Sequence, residues 1–184
     1  ARVVPKKGKE GYAIKRLAAD LDSLGHKRIV LKSDEEPAIM SLKEAVKLES
    51  GIDIVFEESP VYDSKGNGEI ERAIQMVQGQ FRTMKDGLES IYGVRMPGDH
   101  NSIPWLMSHA ADTLTRYHVY DDGKTAYENW KGRPFNKYIV EFGECVLYLK
   151  PDTKGKDKYE PRWDEGVWLG IRDNSNEAII GTSE

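Results

Sequence analysis

Arg28-Ile29-Val30-Leu31-Lys32-Ser33-Asp34-Glu35-Glu36-Pro37 decides the fold class of this chain. The apolar run at its start reads as a short buried strand, and the acids and proline behind it end that strand. Pro37 suits the first turn of a following helix, where its missing amide hydrogen has no partner to lose. That helix carries Ile39, Leu42, Ala45 and Val46 and stops near Gly51, after which Ile52-Asp53-Ile54-Val55-Phe56 reads as the next strand. Strand and helix alternate, so the chain falls in the α/β class.

Upstream, Arg2-Val3-Val4 reads as the end of a strand, followed by a Lys- and Gly-rich turn. From Glu10, the apolar residues Ile14, Leu17, Leu21 and Leu24 recur at helical spacing, and Gly25 closes the helix. Downstream, residues 59–68 form a turn-rich loop. Ile70, Ile74, Val77, Phe81, Met84, Leu88 and Ile91 then alternate spacings of four and three, which predicts a long helix with one buried face. Glu71, Gln75, Gln78, Arg82 and Lys85 make a second, polar stripe on it. Another helix is expected from Asn101 to about Tyr117. From Tyr138 the pattern changes to strands, at Tyr138–Lys150, Gly166–Arg172 and Glu177–Thr182. The domain boundary is placed near 130–138.

Of 184 residues, 39% are hydrophobic and 32% charged, the composition of an ordinary globular chain. No apolar run approaches the roughly 20 residues a spanning helix needs, so no membrane partner is expected. The first residues lack the apolar core of a signal peptide, and the missing initiator Met suggests a chain cut from something longer. A single cysteine, Cys145, allows no internal disulfide and fits a reducing, intracellular setting. It reads as a small core residue. Residues 1–32 hold nine Lys/Arg against three Asp/Glu, a local net of +6, whereas residues 33–71 hold three against eleven, a net of −8. A basic flank beside a dense acidic segment suits a metal-dependent nuclease: bases attract phosphate and carboxylates gather round a divalent ion. Charge clustering on solvated helices is the plainer reading.

Asp34 stands just past the carboxyl end of a predicted strand, where α/β sheets place functional groups. Glu71 lies in the first turn of the long helix, with 36 residues between the two. Carboxylates so placed can converge on Mg²⁺, which takes oxygen ligands and usually only one or two protein carboxylates. Two such ions about 3.5–4 Å apart serve the attacking and leaving oxygens of a phosphodiester. The competing reading makes Asp34 a helix cap and Glu71 a residue favoured by the helix dipole.

Ser59-Pro60-Val61-Tyr62 and Asn67-Gly68-Glu69-Ile70-Glu71-Arg72 together resemble the Ser-Pro-x-Tyr and Asn-Gly-x-x-Glu-Arg signature of copia-type retrotransposon integrases. Leu31-Lys32-Ser33-Asp34 resembles the strand bearing the second acid of their Asp-Asp-Glu triad, at a similar Asp-to-Glu gap. Thr125-Ala126-Tyr127-Glu128-Asn129-Trp130 through Pro134 is similar to the family's Thr-Pro-Tyr-Glu-x-Trp segment. Phe142-Gly143-Glu144 and Trp168-Leu169-Gly170 are similar to the Phe-Gly-Cys and Phe-Leu-Gly landmarks of its SH3-like module. The landmarks run in family order over nearly the whole chain.

The resemblance implies a partial ribonuclease H-like fold over 1–130, a mixed sheet with flanking helices, and a small SH3-like β-barrel module over 138–184. It implies Asp34 and Glu71 as catalytic, metal-binding acids, with Mg²⁺ or Mn²⁺ expected only in the intact site. Asn67 and Gly68 would lie in the mobile loop before the catalytic helix. The polar helix face adds Gln75, Gln78, Arg82 and Lys85 as candidate DNA contacts, with Lys65 and Asn67 from the loop. DNA is the expected partner, and homo-oligomerisation and nuclear location are expected of the intact enzyme.

The chain also departs from the family pattern. Ala126 replaces its Pro, Glu144 replaces its Cys, and Asp63 and Lys65 bring charge to a loop that usually has none. The first catalytic Asp has no match, since the family carries it on a strand upstream of Val3-Val4. Asp20 and Asp22 sit on or near a helix end and cannot replace it. The zinc-binding amino-terminal module is unmatched too. This chain alone is therefore expected not to catalyse strand transfer, and the alternative is a non-enzymatic remnant that binds nucleic acid or protein.

Asp63-x-Lys65-x-Asn67-Gly68 imitates a calcium loop, but Lys at its third position and Ile74 at its twelfth rule that out. His109 and His118 read as packing or solvent histidines. Lys150, Lys154, Lys156, Lys158 and Arg162 form a basic stretch that could touch DNA backbone or lie in a solvated loop.

Overall fold

A computed structural model describes residues 1–58, 68–138, 140–150, 157–172 and 175–183. Its elements are α1 (Gly11–Asp22), β1 (Arg28–Ser33), α2 (Pro37–Glu49), β2 (Asp53–Glu58), α3 (Gly68–Tyr92), α4 (Ile103–Tyr117), α5 (Ala126–Lys131), β3 (Cys145–Leu149), β4 (Trp163–Ile171) and β5 (Ala178–Gly181). The class is mixed α/β with two small sheets. The chain divides into two compact units, one of Val3–Met76 and one of Ala1–Arg2 with Val77–Glu184. The helices and strands on either side of residues 130–138 fall in the same unit.

In the Val3–Met76 unit, β1 and β2 pair in parallel from Arg28↔Asp53 to Ser33↔Glu58. Parallel pairing needs a long crossover, and α2 supplies it. Strand alternation sends Ile29 and Leu31 of β1, and Ile54 and Phe56 of β2, to the face that meets α1 and α2. Ala18, Val46 and Ile54 are the buried centre, with Ile14, Leu17, Leu21 and Leu42 packed round it. The opposite face is a charge ladder. Arg28 pairs with Asp53 at 3.3 Å and Lys32 with Glu57 at 3.4 Å, either side of the Val30↔Val55 pair. Exposed pairs of this kind contribute little energy, about 0–1 kcal/mol, but they favour this register over a slipped one.

In the second unit, α4 packs on α5 and on β4. Leu106 and Ala110 are fully enclosed, and Ala111, Tyr127 of α5 and Phe142 are buried with them. Strands β3, β4 and β5 form an antiparallel meander with an irregularity between Trp168 and Gly170. A capping box starts α5: the Thr125 hydroxyl accepts from the Glu128 amide at 3.1 Å, and the Glu128 carboxylate accepts from the Thr125 amide at 2.9 Å. Thr125→Ala should lower stability by about 1 kcal/mol, and Thr125→Ser by much less. Urea midpoints at constant slope measure both.

Several expectations change. Residues 2–4 form no strand, and the first β segment of the second unit is Cys145–Leu149 rather than 138–150. The polar Glu141-Phe142-Gly143-Glu144 corner turns the chain before Cys145, with the Glu141 amide donating to the Glu144 carboxylate. Cys145 is exposed rather than a core residue, because it heads the outward alternation of β3. The largest change concerns α3. It forms over the full periodic stretch, yet none of its residues is buried. Ile70, Ile74 and Ile91 are 58%, 49% and 67% exposed. A periodic apolar stripe specifies a helix, but burial needs a facing surface, and among the described elements none packs extensively on α3.

Candidate metal and nucleic-acid site

Asp34 directly follows the last residue of β1, and Glu71 lies in the first turn of α3. Both belong to the Val3–Met76 unit, and both are exposed. Neither carboxylate makes a hydrogen bond or ion pair with a described residue. The cap of α2 is Glu36, whose side chain makes no capping bond, so Asp34 is not the helix cap that the plainer reading required. Glu71 does stand where the helix dipole favours an acid.

The backbone beneath Asp34 is held by a relay the sequence did not reveal. Lys43 on α2 is only 2% exposed, and its ammonium donates to the Ser33 hydroxyl at 3.1 Å. Ser33 in turn donates to the Asp34 carbonyl at 2.9 Å. The Lys43 ammonium also lies 5.0 Å from the centre of the Phe56 ring, a cation–π contact that compensates part of its desolvation. A trace of this was present in the sequence: Lys43 falls between Leu42 and Val46 on the helix's apolar side. Burying a lysine there places its Nζ donor beside the strand end that bears Asp34.

Asp34 and Glu71 each offer the oxygen donors that a hard cation takes. Among the described residues, no set of three or more His, Cys, Asp or Glu is gathered to hold a metal ion. Of the proposed DNA contacts, Gln75, Gln78 and Arg82 are exposed on α3. Lys85 is half-buried and engaged by Glu89 at 2.5 Å. Lys65 and Asn67 lie outside the described residues, as do Lys154 and Lys156 of the basic stretch. Within that stretch, Lys150 pairs with Asp164 at 2.7 Å. No helix among the described residues is long and apolar enough to cross a membrane.

His109 is a packing histidine, 8% exposed on α4, tilted against Phe142 with ring centres 5.7 Å apart. Its Nε2 is buried without a hydrogen-bond partner among the described residues. Burial, and to a lesser degree the Arg116 guanidinium, hold its pKa below the ordinary histidine value. The folded state therefore binds this proton less readily than the unfolded chain does. Stability from this group is complete above the unfolded value of about 6.5 and is lost as pH falls towards the lowered folded value. The loss should not exceed about 1.4 kcal/mol per pH unit. Urea titrations at pH 7.5 and 5.5 should show it, and His109→Leu should flatten the difference.

Comparison with models of known protein families and with curated proteins finds no match for this chain.

Proposed function

We propose that this chain carries part of a copia-type retrotransposon integrase, comprising the later portion of a ribonuclease H-like catalytic core and an SH3-like module. The observation that carries the reading is the ordered set of sequence landmarks. It converges on two acids, Asp34 and Glu71, whose carboxylates are exposed and make no hydrogen bond or ion pair with a described residue. The parallel β1–α2–β2 unit and the three-stranded antiparallel sheet are compatible with those two parts. The intact enzyme would insert retroelement DNA into target DNA, in the nucleus, working as a homo-oligomer.

Bound Mg²⁺ or Mn²⁺ would activate the attacking oxygen and stabilise the leaving oxygen of the phosphodiester. Asp34 and Glu71 would hold it through oxygen. Lys43 and Ser33 tie down the main-chain carbonyl at Asp34, which limits where the acid can sit. Gln75, Gln78 and Arg82 present donors along α3 suited to phosphate or base edges.

A second reading is a non-enzymatic remnant that binds nucleic acid or protein, which the exposed Gln75, Gln78 and Arg82 of α3 would suit equally. One experiment separates the two. The chain is extended upstream by a strand bearing an Asp and assayed for strand transfer in Mg²⁺ or Mn²⁺. Activity that survives loss of both Asp34 and Glu71 carboxylates overturns the integrase assignment, while absence of activity with retained DNA binding supports the remnant.

A further inference from the structure

After α3 ends at Tyr92, the chain doubles back beneath the helix. Glu89 directs this: its carboxylate accepts from the Met96 amide at 2.6 Å and from Lys85 at 2.5 Å. These two bonds, the Lys85 one first, hold its pKa below the ordinary carboxylate range. The Tyr92 hydroxyl donates to the Gly143 carbonyl at 2.7 Å and ties the helix end to the corner before β3. Gly143 has φ 87°, and a Cβ there would come within 2.6 Å of Leu88 Cδ1. The positive φ favours glycine at this corner, and a side chain there would also displace the Leu88 tip.

The two ties border an open-sided pocket of about 360 Å³ inside the Val77–Glu184 unit. Leu88, Tyr92, Phe142, Val167 and Leu169 line it, which makes its walls mainly apolar. Size and lining are those of a small-molecule site. Its polar groups are unequal. Glu89 and the Tyr92 hydroxyl are already engaged. His100 accepts the Ser102 amide on Nδ1 at 3.2 Å, which leaves Nε2 to donate. Arg95, also in the lining, makes no ion pair within 4 Å with a described residue, although its charge helps to lower the Glu89 pKa, and Lys85, outside the lining, pairs with Glu89. The lining therefore carries one acid already engaged by Lys85, and offers donors on Arg95 and His100 over an apolar body.

We infer that this cavity binds an apolar monocarboxylate, its hydrocarbon part against Leu88, Phe142 and Leu169 and its carboxylate towards Arg95 and His100. The Arg95 guanidinium and the His100 Nε2–H donor favour an anionic head over a cationic one, and the walls select the tail. This site uses neither Asp34 nor Glu71 and stands apart from the integrase reading.

Cys145, the chain's single cysteine, also lines the cavity and is exposed, so its modification by N-ethylmaleimide reports on the site alone. Decanoate, below its micellar concentration, should slow that reaction saturably by at least about fivefold. Decyltrimethylammonium, with the same tail and opposite charge, should slow it much less. Arg95→Glu, at an exposed loop position, should reverse that preference. Val94→Trp, which adds an indole at an exposed lining residue, should abolish protection while the thermal midpoint stays within a few degrees. Equal protection by the two amphiphiles overturns the inference. So does protection that fails to saturate, or that is unchanged in Arg95→Glu. If Val94→Trp fails to fold, the Arg95→Glu comparison decides alone.

Discussion

In a chain extended upstream by an Asp-bearing strand, Asp34→Asn and Glu71→Gln should each reduce strand transfer by more than about 100-fold. Loss of an outer-shell partner alone costs about 10–100-fold in metal sites, and removing a ligand should exceed it. The double substitution should cost little more than either single one, because groups that act as a unit are strongly non-additive. Both side chains are exposed and make no described contact, so each change should leave stability within about 0.5 kcal/mol. That separates lost chemistry from lost folding. Arg82→Ala should behave differently, raising the DNA concentration for half-saturation and reducing the slope of log affinity against log salt by about one, as for a phosphate contact. Its turnover at saturating DNA should hold. If both acid substitutions retain activity, Asp34 and Glu71 are surface acids and nothing more.

The parts of the structure legible in the sequence are those fixed by local chemistry. Pro37 stands at the start of α2, and Gly25 takes a positive φ in the turn behind α1. Apolar spacing located all of α3 without saying what would cover it. Periodicity is a property of one segment, whereas burial belongs to two. Cys145 shows the same limit, since its exposure depends on where the 141–144 corner hands the chain to β3, and one residue of offset reverses a strand's faces. The positions of Asp34 and Glu71 were legible because strand ends and helix starts leave local marks. Lys43 was not, because a lysine in a helix reads as solvated until packing shows its ammonium against Ser33 and Phe56. The cavity beside Cys145 draws on segments far apart in sequence, and no motif announces it.

Ile54→Ala should remove most of the stability of the Val3–Met76 unit. Ile54 is fully buried, and it is the largest of the three buried residues, with Ala18 and Val46, that form the core cluster among the described residues. Truncating a buried isoleucine to alanine costs about 2–5 kcal/mol, through lost transfer energy and the cavity left behind. A single core of fewer than about 70–80 residues rarely supplies more than about 3–5 kcal/mol in total. The unit should therefore be largely unfolded near 25 °C, with loss of amide dispersion for residues 3–76 in NMR spectra. Ile54→Val, costing about 0.5–1.5 kcal/mol, should keep it folded. Val30 offers the contrast: it lies on the opposite face of the same two-stranded sheet and is 61% exposed. Val30→Ala should shift the urea midpoint only slightly, since exposed substitutions stay within about 0.5 kcal/mol. A large cost at Val30 and a small one at Ile54 would mean that the charge-ladder face, not the face under α1 and α2, carries the hydrophobic stabilisation. The register Arg28↔Asp53, Val30↔Val55, Lys32↔Glu57 argues against that inversion, because it would bury two ion pairs whose desolvation costs several kcal/mol per charge.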